Sequence, residues 1–255
     1  MEKILPLLLL LCLFCGCASV ATNTITQVST IDALLAGSYD GVMSCGELLK
    51  YGDFGIGTFD RLEGEMIILD DRVFQVKSDG LVYSPSLSIL TPFASVGYFV
   101  PDKRFDLPPG ADLHGAEDAI DTAVPNKNIF LALKIHGTFR YMKTRSVPLQ
   151  DKPYPALTEV TKNQPVFEIS DVSGTIVGFR CPDYVKGINV PGYHFHFISD
   201  DLKKGGHVLD FTLKEGTVEA DLCGRYLLIL PDDGKGLEGL DLSRDRSAEL
   251  QKVER

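Results

Sequence analysis

Residues Tyr193 to Ile198 read YHFHFI, with histidine and phenylalanine in strict alternation. In an extended strand this order places His194 and His196 on one face, while Phe195 and Phe197 point from the other into a core. The polar segment Ser199 to Gly206, ending in Gly-Gly, turns the chain, and His207 opens the antiparallel return strand beside the first two histidines. Three neutral imidazoles converging from a hairpin offer nitrogen ligands at about 2.0–2.1 Å from a zinc-like ion and leave positions open for water or substrate. That is the pattern of a catalytic site, since structural zinc sites usually close with a fourth Cys or His. The plainer alternative is a pair of hydrogen-bonded strand histidines; the third histidine at the hairpin position favours the metal. His114 and His136 have no such neighbours and read as ordinary residues.

Period-two patterning recurs along the chain. Ile31 to Gly37 and the Ser44 to Leu49 segment read as short helices, the second with capping-box spacing between Ser44 and Glu47. Thr58 to Val76 holds three strand candidates separated by turns at Leu62-Glu63-Gly64 and Asp70-Asp71, a β-meander. Phe93 to Val100 is another strand, Asp112 to Val124 a helix stopped by Pro125, and Ile129 to Val147 a long β-rich stretch broken near Gly137. Asp151 to Pro165, with three prolines, reads as a linker. Beyond it lie strands at Gly174 to Phe179, Tyr193 to Ile198, His207 to Leu213, Thr217 to Leu222 and Arg225 to Leu230. Short strands at this spacing predict an antiparallel sheet or barrel. The charged, Gly-rich stretch from Asp232 reads as a solvated tail.

These elements predict an α+β protein of mixed αβ character: an N-terminal mixed-sheet domain over residues 22–165, a C-terminal β-rich, antiparallel, barrel-like domain over 166–231 carrying the metal site, and a tail over 232–255. With 44% hydrophobic and 24% charged residues, the composition excludes disorder, collagen and coiled coil. The net charge of −10 is the wrong sign for tracking nucleic acid and fits poorly with docking on anionic lipid, so a small diffusible substrate is the better match.

The apolar run from Ile4 to Phe14 reads as a signal peptide over residues 1–21, too short to span a bilayer, which takes about 20 apolar residues. Ser19-Val20-Ala21 resembles a cleavage site, and the FCGC around Cys17 an imperfect lipobox, so export is expected, with lipid anchoring at Cys17 as the minority option. Cys12, Cys15 and Cys17 fall in this leader. Cys45, Cys181 and Cys223 remain, an odd number at spacings that match no zinc motif, and read as small buried residues. No GxSxG or Walker loop is present, and GIGTFD at Gly55 lacks the last glycine of a dinucleotide loop. Glu65 in GEMIIL, Arg145 ending FRYMKTR with Lys143 on the same alternating face, and Asp53 are charged residues among apolar ones. Each also has a bland reading as a surface or loop residue.

Taken together, YGDFGIGTF at Tyr51, GEMI at Gly64, KTR at Lys143, QPVFE at Gln164, GTIVGF at Gly174, GYHFHFI at Gly192 and GGHVLDF at Gly205 resemble the α-acetolactate decarboxylase family, in order and over nearly all of the chain after the leader. The resemblance implies a two-domain αβ subunit, a homodimer, and one zinc ion held by His194, His196 and His207. It matches Glu65 and Arg145 to the family's substrate-contacting Glu and Arg, and a tail glutamate to Glu254, with Glu249 as the rival. The implied reaction is metal-dependent decarboxylation of 2-acetolactate to (R)-acetoin and CO₂. From the residues alone two other readings stay open: a cupin-like three-His dioxygenase or hydrolase, whose carboxylate ligand would be Asp200 or Asp201, and a non-catalytic exported metal-binding β-module.

Overall fold

A computed structural model describes residues 22–254; the leader with its three cysteines lies outside the described residues. The chain opens with β1 (Thr24–Val28), helix α1 (Ile31–Leu35), β2 (Met43–Ser44) and helix α2 (Cys45–Leu48), followed by the meander β3 (Phe54–Thr58), β4 (Glu65–Leu69) and β5 (Arg72–Val76). Next come β6 (Val82–Tyr83), β7 (Leu90–Thr91), β8 (Ala94–Gly97), β9 (Lys103–Asp106), helix α3 (Leu113–Ala123) and the long β10 (Phe130–Arg145). After the short helix α4 (Leu157–Val160) follow β11 (Val166–Cys181), β12 (Gly192–Ser199), β13 (Gly205–Cys223), β14 (Arg225–Ile229) and helix α5 (Ser247–Glu254).

Local chemistry explains several boundaries. The Ser44 hydroxyl accepts from the Glu47 amide while the Glu47 carboxylate accepts from the Ser44 amide, the capping box read from the sequence. The Asp112 carboxylate caps α3 by accepting from the Gly115 amide at 2.8 Å. Asp70 and Asp71 both adopt positive φ, as the tight turn between β4 and β5 requires.

A seven-stranded sheet runs in the order β14-β1-β8-β3-β4-β5-β6, with β1 and β14 parallel and every other neighbouring pair antiparallel. The second sheet, β10-β11-β12-β13-β9, is antiparallel, and β10 also pairs with β13. That extra pairing closes β10, β11, β12 and β13 into a barrel. Phe195 and Phe197 point inside it, where Phe139 meets the rings of Phe197 and Phe211 edge-on at 5.5 and 5.4 Å. Residues on the opposite face, including Val177, Phe179 and Ile198, pack against Ile25, Phe54, Ile67 and Phe74 of the seven-stranded sheet. His194 and His196 share this second face and so point towards the other sheet.

Four sequence expectations change. The strand at Ile129 to Val147 does not break at Gly137: β10 runs through it, and β11 and β13 run through Gly174 and Gly216, so that His207 to Leu213 and Thr217 to Leu222 are one strand. The reason is lateral, because Gly137 stands opposite Gly174 on one side and Gly216 on the other. A Cβ at Gly137 would lie 2.4 Å from the Glu215 carbonyl oxygen, and one at Gly174 would lie 2.5 Å from the Phe197 ring. The glycines are there to let backbone and a core phenylalanine approach. Second, the segment at Asp151 to Pro165 is no bare linker, since it contains α4 and buries Leu157 and Val160. Third, the two sheets do not divide at residue 165. β9 and β10 belong to the barrel sheet and β14 to the other, because β1 supplies an edge that β14 can extend. Fourth, the tail is not wholly solvated: α5 buries Leu250 and Val253. Cys45, Cys181 and Cys223 are unpaired and buried, as expected.

Candidate active site

The site forms where the barrel's outer face meets the seven-stranded sheet. His196 of β12 stands opposite His207 of β13, and His194 lies two residues upstream on the same face. The three rings lie 5.0 to 5.4 Å apart by their centroids. Their ligand nitrogens all fall within 4.8 Å of one another, a group that can hold a metal ion. His196 Nδ1 donates to the Met66 carbonyl at 2.8 Å, which fixes the tautomer and turns the Nε2 lone pair inward. His196 Nε2 is buried and has no hydrogen-bond partner, an orphaned acceptor of the kind a cation satisfies. Burial, with Arg145 beside it, holds His194 down at about 3, and burial holds His196 and His207 well below the usual imidazole range. All three are therefore neutral ligands. Donor type, spacing, tautomer and charge state fit a metal such as zinc.

Arg145 ends β10 and stands in register with His207, so strand pairing carries it to the same place. It is 4% exposed, and its Nη2 donates to the Val253 carbonyl at 2.9 Å. Glu65 opens β4 directly after Gly64, a position that takes glycine because its φ is positive and a Cβ there would lie 2.2 Å from the Val76 carbonyl oxygen. Arg145 Nη1 lies 3.5 Å from Glu65 Oε1, and His196 Nε2 lies 3.5 Å from Glu65 Oε2. Glu254, at the end of α5, places Oε1 4.0 Å from Arg145 Nη2 and Oε2 3.7 and 3.8 Å from the Nε2 atoms of His194 and His207. Burial pushes the Glu65 carboxyl up to about 7, with the Arg145 guanidinium opposing and the Glu254 charge adding. Burial likewise pushes Glu254 up to about 6 against the pull of Arg145. Two buried carboxyls, both held above the ordinary carboxyl range, thus flank a guanidinium and three imidazoles, residue types that suit general acid and base catalysis.

The structure brings together all six residues singled out from the sequence: His194, His196, His207, Glu65, Arg145 and Glu254 line one cavity of about 40 Å³. Glu249 is not among them; it pairs with Arg244 and Arg246 on the outer side of α5. Asp53 accepts from the Phe99 amide at 3.0 Å and shapes its loop. The cupin pattern fails, because Asp201 bonds Ser199 and Lys203 while Asp200 lies beside His136. Sequence reasoning missed the apolar wall of the cavity, contributed by Ile31, Leu34, Leu62, Phe93, Val147 and Leu157 from separate segments. No local motif marks these residues. They become neighbours only when α1, the β3–β4 turn, β8 and α4 close over the histidines.

The family model for alpha-acetolactate decarboxylase matches residues 25–243. The chain belongs to the alpha-acetolactate decarboxylase family. It is 49% identical to the alpha-acetolactate decarboxylase of Methanosarcina mazei, over 92% of this chain and 81% of that protein. The Bacillus licheniformis enzyme of the same name is 43% identical over 82% of this chain and 83% of its own. The crystal structure of alpha-acetolactate decarboxylase from Bacillus subtilis superposes with a TM-score of 0.87 at 39% identity, covering 91% of this chain and 99% of that one. An α-acetolactate decarboxylase family member with this mixed αβ fold is an enzyme of the carboxy-lyase class.

Proposed function

We propose that the protein decarboxylates 2-acetolactate to (R)-acetoin and CO₂ with one zinc ion per chain held by His194, His196 and His207. The observation that carries this reading is the convergence of three histidines, Arg145 and the buried carboxyls of Glu65 and Glu254 on one cavity in a member of this family.

In 2-acetolactate the carboxylate leaves a carbon that also bears a hydroxyl and adjoins a ketone, and the barrier is the charge that develops towards the ketone oxygen. A metal held by His194, His196 and His207 would supply Lewis acidity towards that developing charge, a contribution of several kcal/mol. Arg145 takes the substrate carboxylate, because its planar fork suits a carboxylate and its charge cannot be lost, and so orients the breaking bond. Of Glu65 and Glu254, one holds the substrate hydroxyl and the other delivers a proton to one face of the carbon that CO₂ has left, which sets the handedness of the product. The apolar wall excludes water and strengthens these charges. We further propose that residues 1–21 direct export, on the strength of their apolar run, and that the chain works as a homodimer.

The test is anaerobic incubation of purified protein with racemic 2-acetolactate, before and after chelation, following CO₂ and acetoin. Metal-dependent release without O₂ is expected. Folded, zinc-loaded protein that releases neither product overturns the reading.

A further inference from the structure

Glu254 is the last residue of α5, so its place beside His194 and His207 depends on how that helix packs. An eight-residue helix has no stability of its own in water. α5 buries two side chains, Leu250 and Val253, and both join the apolar cluster that holds Ile31, Leu34, Leu157 and Val160. Leu250 and Glu254 are one helical turn apart and so project from the same face. Of the polar ties along the tail, Arg244 with Glu249 at 2.5 Å and the partly buried Arg246 with Glu249 at 3.1 Å join residues of the tail to one another, and only Lys186 with Asp245 at 2.8 Å, an exposed pair that fixes little, ties it to the body. The Arg145 bond to the Val253 carbonyl secures the last turn only once the helix is seated.

We infer that Leu250 is a positioning residue for Glu254: the seating of its side chain, rather than the ion pairs of the tail, holds the Glu254 carboxylate within reach of His194, His207 and Arg145. The inference rests on the proton-handling role proposed above for Glu254.

The experiment compares zinc-loaded full-length Leu250→Ala, Leu250→Met, Glu254→Gln and the Leu250→Ala/Glu254→Gln double variant for kcat, KM and bound zinc. Leu250→Ala is expected to lower kcat by about tenfold to a hundredfold, the cost of displacing a reacting group by about 1 Å, with zinc stoichiometry and KM kept. Leu250→Met restores most of the loss. In the Glu254→Gln background Leu250→Ala costs less than about twofold, because its effect passes through a carboxylate already removed. If near-ultraviolet circular dichroism finds the alanine variant unfolded, Leu250→Val carries the same comparison. An equal loss in both backgrounds means a merely structural role and overturns the inference, as does full kcat in Leu250→Ala while Glu254→Gln is impaired. Full turnover in Glu254→Gln removes the proposed role of Glu254 itself, and the inference falls with it.

Discussion

Arg145 and His207 face each other across the β10–β13 pair, so the proposed carboxylate anchor and one proposed metal ligand are set by a single strand register. A one-residue slip of either strand would turn its side chain to the other face and part the two. The pairing is irregular at Lys143 and Thr144, and the Thr144 hydroxyl donates to the Gly205 carbonyl at 2.9 Å, which pins the register beside the irregularity.

Arg145→Lys keeps the charge and loses the fork. Steady-state kinetics should give kcat/KM lower by about tenfold to a hundredfold, matching the loss of roughly 1.5–3 kcal/mol from a charge-assisted hydrogen bond. Near-normal turnover would remove the orienting role.

His207→Ala should lose bound metal and activity together, read by metal analysis of the purified protein and by acetoin release. With two imidazoles left the ligand set is incomplete. A variant that retains stoichiometric metal contradicts the three-His site.

Glu65→Gln removes a carboxyl held at about 7 inside the cavity while keeping its shape. A loss in kcat of about 10²–10⁴ with bound metal retained is expected, the usual range for a proton-transferring group. Unchanged kcat would exclude Glu65 from proton handling.

In metal-free protein the site sets a pH dependence. The histidines bind protons less well folded than unfolded, so their stabilisation is complete above the ordinary imidazole value of 6.5 and is lost as pH falls. Glu65 and Glu254 have the opposite sign: their stabilisation is complete below the ordinary 4.5 and is lost as pH rises through about 6 for Glu254 and about 7 for Glu65. Three groups outweigh two, so urea unfolding after chelation should find stability falling as pH drops below about 7, and more steeply near 4.5, where the carboxyls stop compensating. Stability that rises between pH 7 and 5 would contradict neutral buried histidines.

Gly174→Ala adds a Cβ 2.4 Å from the Ile198 carbonyl oxygen and 2.5 Å from the Phe197 ring. Overpacking of this kind should cost about 1–3 kcal/mol or more, measured by denaturant unfolding, and an unchanged midpoint would mean that the sheet yields there.

Legibility in the sequence follows the range of the interaction. The alternation of His194, Phe195, His196 and Phe197 is local, and it is enough by itself to separate the barrel interior from the histidine face, while the metal reading needs His207 as well. The capping box at Ser44 and the cap at Asp112 are equally local. Glu65 and Arg145 carry weak signals by themselves and stand out through their place in a multi-block resemblance. The glycine row at Gly137, Gly174 and Gly216 reads as strand ends along the chain because its meaning lies across the sheet. The partnership of β14 with β1 is written in neither strand. α5 has few apolar residues, and its docking depends on a cluster that Ile31, Leu157 and Val190 build from well-separated parts of the chain.

The pairing of Thr24 with Arg225 and of Val28 with Ile229 makes the first described strand and the last one neighbours. Synthesis from the N-terminus therefore leaves that edge of β1 bare until Arg225 to Ile229 have been made, and a fragment stopped at residue 165 would lack three of the four barrel strands as well as the strand that covers that edge. The seven-stranded sheet is thus fastened like a belt, by a strand made early and one made late, and the histidine pocket has to wait as well, since His196 meets His207 only after β13 has begun to form.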